Sequence, residues 1–173
     1  MENSKHIVLA HGGGGALTRE LITDVLVASL GRTAEALPDA AAVPGAEGLV
    51  FTTDSFVVKP LFFRGGDIGS LSVHGTVNDL AVSGAEPLAL SMGLIIEEGF
   101  DIETLGRIVR SAASAASVSN VQIVTGDTKV VARGEADQLF VNTAGIGIRR
   151  IHPDPKSLQA GDHVLINGGI AEH

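Results

Sequence analysis

The sequence predicts an α+β domain in which a mixed sheet carries its helices on one face. Three observations favour this class. Runs of apolar and β-branched residues predict strands, apolar residues spaced three to four positions apart predict helices, and the two kinds of segment do not alternate in strict βαβ order. The chain has 173 residues, of which 45% are hydrophobic, and this is enough to bury a core of its own.

The predicted elements begin with the glycine loop Gly12–Gly15 and a helix from Leu17 to Leu26. An exposed connection at residues 38–48 follows. Two further helices are predicted, one from Ile68 to Ala85 and one that begins after Asp101, a residue type that caps helix N-termini. The predicted strands are residues 49–53, 56–58, 88–96, 121–125 and 139–148.

The end of the chain has a different character from the rest. Residues 1–150 are predicted to form an amino-terminal domain, and residues 151–173 a linker with the truncated start of a carboxy-terminal domain. Pro153 and Pro155 are typical of a linker, and residues 163–166 are predicted to begin another strand. We therefore expect one domain and a fragment of a second.

Composition and charge exclude several functional classes. The net charge of −8, with scattered lysine and arginine residues, argues against nucleic acid or an anionic membrane surface as a partner. No apolar run approaches the roughly 20 residues that span a bilayer, and the first residues lack a secretory signal pattern, so we expect a cytoplasmic protein. The chain has no cysteine, which excludes disulfides and thiolate metal sites within it.

Three aspartates, Asp54, Asp79 and Asp127, interrupt otherwise apolar segments. An ionised carboxylate in apolar surroundings costs several kcal/mol unless a cation or hydrogen-bond donors compensate it. Mg²⁺ and its bridging phosphates are suitable partners for such carboxylates. Each aspartate alone also fits a turn or a helix cap. Together, they predict a magnesium–nucleotide site.

Other residues add to this hypothesis. Gly13 and Gly14 precede a predicted helix, where backbone N–H groups can bind phosphate, although a flexible connection is the alternative. Lys129 follows Asp127 by two positions, so an extended strand places both on one face, close to carboxylate and phosphate; a surface lysine is the alternative. Asn78 lies in a predicted apolar helix, and helix propensity explains it poorly.

Six segments in order give the chain a strong resemblance to the family of hydrogenase maturation factors called HypE, within the aminoimidazole ribonucleotide synthetase and selenophosphate synthetase superfamily. The resemblance covers essentially the whole chain. The sister families share the Asp-bearing motifs, and the combination of Ile-Ile-Glu-Glu-Gly with Ile-Val-Thr-Gly-Asp-Thr-Lys-Val-Val is what distinguishes HypE from them. The six segments are residues 11–15, 51–58, 60–69, 75–85, 95–99 and 123–131.

The resemblance implies a PurM-like amino-terminal domain whose sheet pairs with its twin in a homodimer, with ATP and Mg²⁺ as cofactors. A carboxy-terminal domain would complete the site. The family's magnesium-binding acids match Asp54, Asp79 and Asp127. Its residues that contact ATP match Asn78, Thr128 and Lys129.

The resemblance also implies a reaction and partners. In the family, a carboxy-terminal cysteine receives a carbamoyl group, ATP phosphorylates the carbamoyl oxygen, and loss of phosphate leaves a thiocyanate that supplies the cyanide ligands of nickel–iron hydrogenase. The implied partners are a carbamoyltransferase maturation factor and the iron-scaffold maturation complex. Because this chain has no cysteine, we assign it no catalytic residue and expect its role to be ATP and Mg²⁺ binding.

Two other interpretations stay open. One is a sister-family ATP-dependent synthetase or small-molecule kinase, and the other is a non-catalytic dimerisation module. The chain also departs from the family pattern at Arg64, where Pro-Gly-Gly is usual, and at Ala171–His173, where Gly-Asp-His-Gly is usual. Both of these changes are compatible with the family fold.

Overall fold

The structure is a computed structural model that describes residues 6–30, 38–166 and 168–169. The chain divides into two compact units, Met1–Pro38 and Asp39–His173. The predicted boundary after residue 150 stays a prediction, and residues 170–173 of the predicted second-domain segment lie outside the described residues.

The first unit is helical where it is described. A 3₁₀-helix at Leu9–Gly12 is followed by helix α1, Ala16–Glu20, which continues as a π-helix over Leu21–Val27. The helix predicted from Leu17 to Leu26 is thus confirmed in extent, although its second part is wound as a π-helix.

The second unit is built on a five-stranded mixed sheet, which we call the main sheet. Its strands are β1, Ala41–Ala42; β2, Leu49–Phe56; β5, Ala85–Glu97; β6, Gln122–Val131; and β7, Leu139–Arg149. They lie in the order β1-β2-β7-β5-β6, and adjacent strands are antiparallel except for β5 and β6, which run parallel. Two short strands, β3 at Phe62–Phe63 and β4 at Gly66–Asp67, form a separate two-stranded sheet.

The two long helices lie on one face of the main sheet, as predicted. Helix α2, Ile68–Val82, contacts β2, β5 and β7, whereas α3, Ile102–Val118, contacts α2 and β6. The side chain of Asp67 caps α2 by accepting from the N–H groups of Gly69 and Ser70. Asp101 caps α3, as predicted, through a 2.7 Å hydrogen bond from the Thr104 N–H. We call the side of the main sheet on which α2 and α3 lie the covered face.

Close packing of small residues holds the covered face together. A Cβ atom on Gly69 would lie 2.2 Å from the Ile108 carbonyl oxygen, so the two helices touch through their backbones. Between α2 and β7, the hydroxyls of Thr76 and Thr143 form a buried hydrogen bond, and the Thr143 hydroxyl also donates to the Ser72 carbonyl. The α2–α3 contact is therefore tightly packed, and the α2–sheet contact is hydrogen-bonded.

Within the second unit, no described helix packs on the opposite side of the sheet, which we call the open face. Strand alternation directs Phe51, Ile95 and Ile146 to this side, where they are 36–44% exposed. Val124, at the bulge of β6, is 62% exposed. The open face is therefore an apolar surface that the unit itself leaves uncovered.

Several predicted elements differ from the structure. The helix predicted to extend to Ala85 ends at Val82, and β5 begins at Ala85, before the predicted start at residue 88. Strand β2 is continuous through Asp54, because pairing with β7 extends over its whole length and overrides the polar interruption. Strand β6 continues past residue 125 to Val131, because its parallel pairing with β5 does. The strand predicted at residues 163–166 is wrong, since these described residues adopt no regular element. Among the described residues, the structure contains no helix with the length and apolar character of a membrane span.

Candidate functional site

Helix α2 and strand β2 bring two of the three aspartates together on the covered face. Asp79 lies in the last turns of α2, as the sequence predicts, and its Oδ2 atom is 2.9 Å from the hydroxyl oxygen of Thr52 on β2. Asp54 follows Thr52 by two positions, so the alternation of the strand directs both side chains toward α2. Asp54 and Asp79 are far apart in the sequence, and the packing of α2 against β2 brings them together.

A glycine makes room for the Asp54 carboxylate. A Cβ atom on Gly75 of α2 would lie 3.4 Å from Asp54 Oδ2 and 2.8 Å from the Phe56 ring. Any larger residue at position 75 would therefore press on the aromatic ring and on the carboxylate beside it. The helix can approach this part of β2 because residue 75 has no side chain.

The electrostatics of the pair favour a cation. Burial raises the pKa of the Asp54 carboxyl above its ordinary value, and the negative charges of Asp79 and Asp39 raise it further. In the described part of the chain, neither Asp54 nor Asp79 forms an ion pair with a lysine or arginine. The two carboxylates are thus close together, Asp54 is partly desolvated, and neither has a positive partner among the described residues.

This arrangement fits Mg²⁺ better than a metal held entirely by protein side chains. Among the described residues, no group of three or more histidine, cysteine, aspartate or glutamate side chains is placed to hold an ion. Mg²⁺ is commonly bound by one or two carboxylates together with water and substrate phosphates, which is what Asp54 and Asp79 can offer.

Asp127 lies on the opposite face of the main sheet from the Asp54–Asp79 pair. It is on β6, opposite Gly93 of β5, and projects from the open face beside a cavity of about 530 Å³ that Lys129 and Asn142 also line. Strands β7 and β5 separate β2 from β6, a distance of about 14 Å at ordinary strand spacing. One chain therefore does not bring Asp127 to the Asp54–Asp79 pair, contrary to the simplest form of the three-aspartate hypothesis.

The remaining predicted residues fall into three places. Lys129 shares the open face with Asp127, as the two-residue spacing predicts, whereas Thr128 points the other way. Asn78 is exposed on α2 beside Asp79. Gly13 and Gly14 belong to the first unit, where the Gly14 N–H already donates to the Thr18 hydroxyl at 2.9 Å.

Comparison with known proteins identifies the fold. The profile described as AIR synthase related protein, N-terminal domain, matches residues 38–149, which is most of the chain and contains both the aspartate pair and Asp127. The chain belongs to the AIR synthase related family. The predicted family resemblance and the predicted fold class are thereby confirmed.

Within the AIR synthase related family, the chain is similar to HypE proteins. It is 46% identical over 175 residues to the carbamoyl dehydratase HypE of Cupriavidus necator, a match that covers 98% of this chain and 50% of that protein. A HypE–HypF complex superimposes with a TM-score of 0.68 at 48% identity, over 79% of this chain and 43% of that one. HypE in complex with ATP gives 0.60 at 44% identity, covering 84% and 44%. The chain thus spans about half the length of these relatives.

In this AIR synthase related domain, sequence reasoning missed three residues that shape the site. Thr52 contacts Asp79, and the Asp39 carbonyl accepts from the same hydroxyl at 2.7 Å. From the open face, the Asn142 side-chain amide donates to the backbone carbonyl of Asp54 at 2.8 Å and ties β2 to β7 on the opposite side of the sheet from the pair. The only signal for Thr52 was its two-residue spacing from Asp54, since the contacts of Asp39 and Asn142 depend on the fold.

Proposed function

We propose that this chain is the ATP- and Mg²⁺-binding half of a hydrogenase maturation protein of the HypE type. The observation that carries this proposal is the pair of close carboxylates, Asp54 and Asp79, with no cationic partner from the described chain. Residues 1–150 form the ATP-binding and dimerisation domain in this proposal. Residues 151–173 connect it to a carboxy-terminal domain, because the HypE relatives are about twice as long as this chain.

Asp54 and Asp79 would hold Mg²⁺, whose chemistry is to neutralise charge on the phosphates of ATP and on the transferring phosphoryl group. Asn78, which is exposed and adjacent to Asp79 in the sequence, would donate to a phosphate bound at the pair. Gly13 and Gly14 keep their proposed role in phosphate binding. The Gly13 N–H is the more available of the two donors, because its bond to the Ala10 carbonyl is 3.3 Å long.

Asp127, Thr128 and Lys129 would reach a nucleotide that is bound by a second copy of the chain. The reason is geometric, since Asp127 and Lys129 lie on the open face about 14 Å from β2. Exposed Phe51, Ile95 and Ile146 support pairing of open faces in a homodimer, because a large apolar patch typically marks an interface.

In the proposed pathway, the complete protein dehydrates a carboxy-terminal S-carbamoyl cysteine to thiocyanate in the cytoplasm. Similarity to the HypE of a HypE–HypF complex supports a carbamoyltransferase maturation factor as partner, and the iron-scaffold maturation complex would receive the cyanide group. This chain has no cysteine, so the dehydration would require residues beyond it. An ATP-dependent sister-family enzyme remains the alternative reaction.

A second candidate function is a dimerisation module without nucleotide binding. The separation of Asp127 from the aspartate pair favours it, because one copy alone assembles only two of the three acidic residues. In that case the open face would be the functional surface and the carboxylate pair a feature of helix packing.

The test is calorimetric titration of ATP into the chain with and without Mg²⁺. We expect Mg²⁺-dependent binding that Asp54→Asn and Asp79→Asn each weaken at least tenfold, because each removes one of two carboxylate ligands. Glu103→Gln, at an exposed position on α3, is the control for loss of one negative charge. A folded chain that binds no ATP in Mg²⁺ would overturn the proposal and favour the dimerisation module.

A further inference from the structure

The hydroxyl of Thr52, on β2, lies within hydrogen-bonding distance of α2 and of the segment that precedes β1. Its side chain is 4% exposed, and its oxygen lies 2.9 Å from Asp79 Oδ2 on α2 and 2.7 Å from the Asp39 carbonyl oxygen. A hydroxyl has one proton, so it donates to only one of these acceptors at a time. The bond to the carboxylate is the stronger of the two, because its acceptor is charged.

This hydrogen bond leaves the two oxygens of Asp79 in different situations. Oδ2 accepts from Thr52, whereas Oδ1 accepts no hydrogen bond from the described residues. The Asp54 carboxylate has no hydrogen-bond donor there either, although its backbone carbonyl is held by Asn142. Asp79 is therefore the fixed member of the pair, with one oxygen tied to β2 and the other available.

Fixing a ligand side chain before a cation arrives lowers the entropy lost on binding. An aspartate on a helix surface otherwise samples several rotamers. The buried Thr52 hydroxyl selects the rotamer that keeps Asp79 near Asp54, and the Asp39 carbonyl gives the proton a second acceptor when a cation withdraws charge from the carboxylate.

We propose that Thr52 is a positioning residue that orients the Asp79 carboxylate for divalent cation binding, an inference that rests on the proposed function of the pair. Partners of this kind, which hold a metal ligand without touching the metal, typically change metal affinity by about 10- to 100-fold when they are removed. The role belongs to the hydroxyl and not to the size of the side chain.

Titration of the full chain with Mn²⁺, followed by electron paramagnetic resonance of the free ion, tests the inference. We expect Thr52→Val to weaken Mn²⁺ binding about tenfold or more, because it keeps the shape and loses the donor. Thr52→Ser, which keeps the donor, should bind within about threefold of the unchanged chain. The smaller effect is expected because only a methyl group is lost.

Thr76→Val is the matched control. Thr76 is a buried threonine at the same α2–sheet contact, but its hydroxyl pairs with Thr143 and touches no carboxylate. Loss of its hydroxyl should lower the stability of the fold and leave Mn²⁺ affinity unchanged. Equal affinity of Thr52→Val and the unchanged chain, or equal loss in Thr52→Val and Thr52→Ser, would overturn the inference.

A second measurement separates this inference from the proposed function. Scalar couplings of the Asp79 side chain in nuclear magnetic resonance report its χ1 rotamer without any metal. A single rotamer that becomes averaged in Thr52→Val supports positioning, even if the chain binds no Mn²⁺ and the proposed function therefore fails. An Asp79 rotamer unaffected by Thr52→Val removes the inference, whatever the affinity for Mn²⁺.

Discussion

The covered and open faces of the main sheet hold different parts of the candidate site and are built in different ways. The covered face carries Asp54, and α2 packs against it so closely that glycine is required at several contacts. The open face carries Asp127 and Lys129 among exposed apolar side chains. The fold of one chain therefore assembles the part of the site around Asp54, whereas Asp127 and Lys129 lie on an uncovered surface.

The largest expected effect is on stability, and it compares two glycines, one at the α2–α3 contact and one on the open face. Gly69→Ala places a Cβ 2.2 Å from the Ile108 carbonyl oxygen, whereas Gly93→Ala, on the open face, has its nearest neighbour at 3.8 Å. We expect Gly69→Ala to lower the free energy of unfolding by ~3 kcal/mol or more and Gly93→Ala to change it by less than about 1 kcal/mol. Urea denaturation measures both. Equal losses would mean that the α2–α3 contact and the open face are equally packed.

The next effect concerns association through the open face. Ile146→Lys puts a charge at the centre of that face, so a homodimer formed there should dissociate, with the dimer dissociation constant rising at least 100-fold. Sedimentation velocity measures the change. Val118→Lys, at an 81% exposed position at the end of α3, should leave association unchanged. A dimer that survives Ile146→Lys would place the interface elsewhere.

A smaller effect is expected from Asp54→Asn on stability. The pKa of Asp54 is raised in the folded chain, so its ionisation opposes folding: stability is highest below the unfolded-state pKa and falls as pH rises through the folded-state pKa. At neutral pH without divalent cations, Asp54→Asn should therefore raise the unfolding midpoint slightly. Thermal unfolding checks the sign, and added Mg²⁺ should stabilise only the unchanged chain. A lower midpoint for the variant would contradict the electrostatic assignment.

The smallest expected effect concerns Glu97, at the end of β5, whose carboxylate holds the connection between β6 and β7. Hydrogen bonds from the Gly134 and Gln138 N–H groups lower the pKa of Glu97. A lowered pKa gives stabilisation that is present above the unfolded-state pKa and is lost as pH falls through the folded-state pKa.

Hydrogen exchange of those two N–H groups should accelerate as the pH falls through the lowered pKa of Glu97, beyond the intrinsic pH trend. In Glu97→Gln they should exchange fast at all pH values, whereas Glu98→Gln serves as the control because Glu98 receives neither bond. Protection that is unchanged in Glu97→Gln would show that the loop does not depend on this carboxylate.

Sequence reasoning was most successful where a local pattern determines the structure. Helical spacing and the Asp101 cap predicted α3, and the helix containing Asp79 was predicted because its apolar residues recur regularly. It was less successful on β6, whose residues 124–130 are all exposed, so no alternation marked the strand. The pairing that extends this strand comes from β5, which is distant in sequence.

The candidate site shows the same division. The residue types at positions 54, 79 and 127 predicted cation chemistry without any knowledge of the fold. That Asp54 meets Asp79 but not Asp127 depends on strand order and on which face each residue takes, and a β-bulge between Leu90 and Ser91 sets the register of β6 against β5. Thr52 was overlooked because its importance comes from a contact with a residue 27 positions away.

The pairing of β2 with β7 has a consequence for the order of events during synthesis. The Thr52–Asp79 contact joins residues 27 positions apart, but the bond from Thr53 to the Thr143 carbonyl spans 90. A ribosome therefore releases α2 long before it releases the strand that flanks β2. The nascent chain holds Asp79 and Thr52 within reach of each other early, yet the sheet that fixes Asp54 closes only after β7 has emerged. Completion of the Asp54–Asp79 pair is thus expected to be a late event in the folding of each new chain.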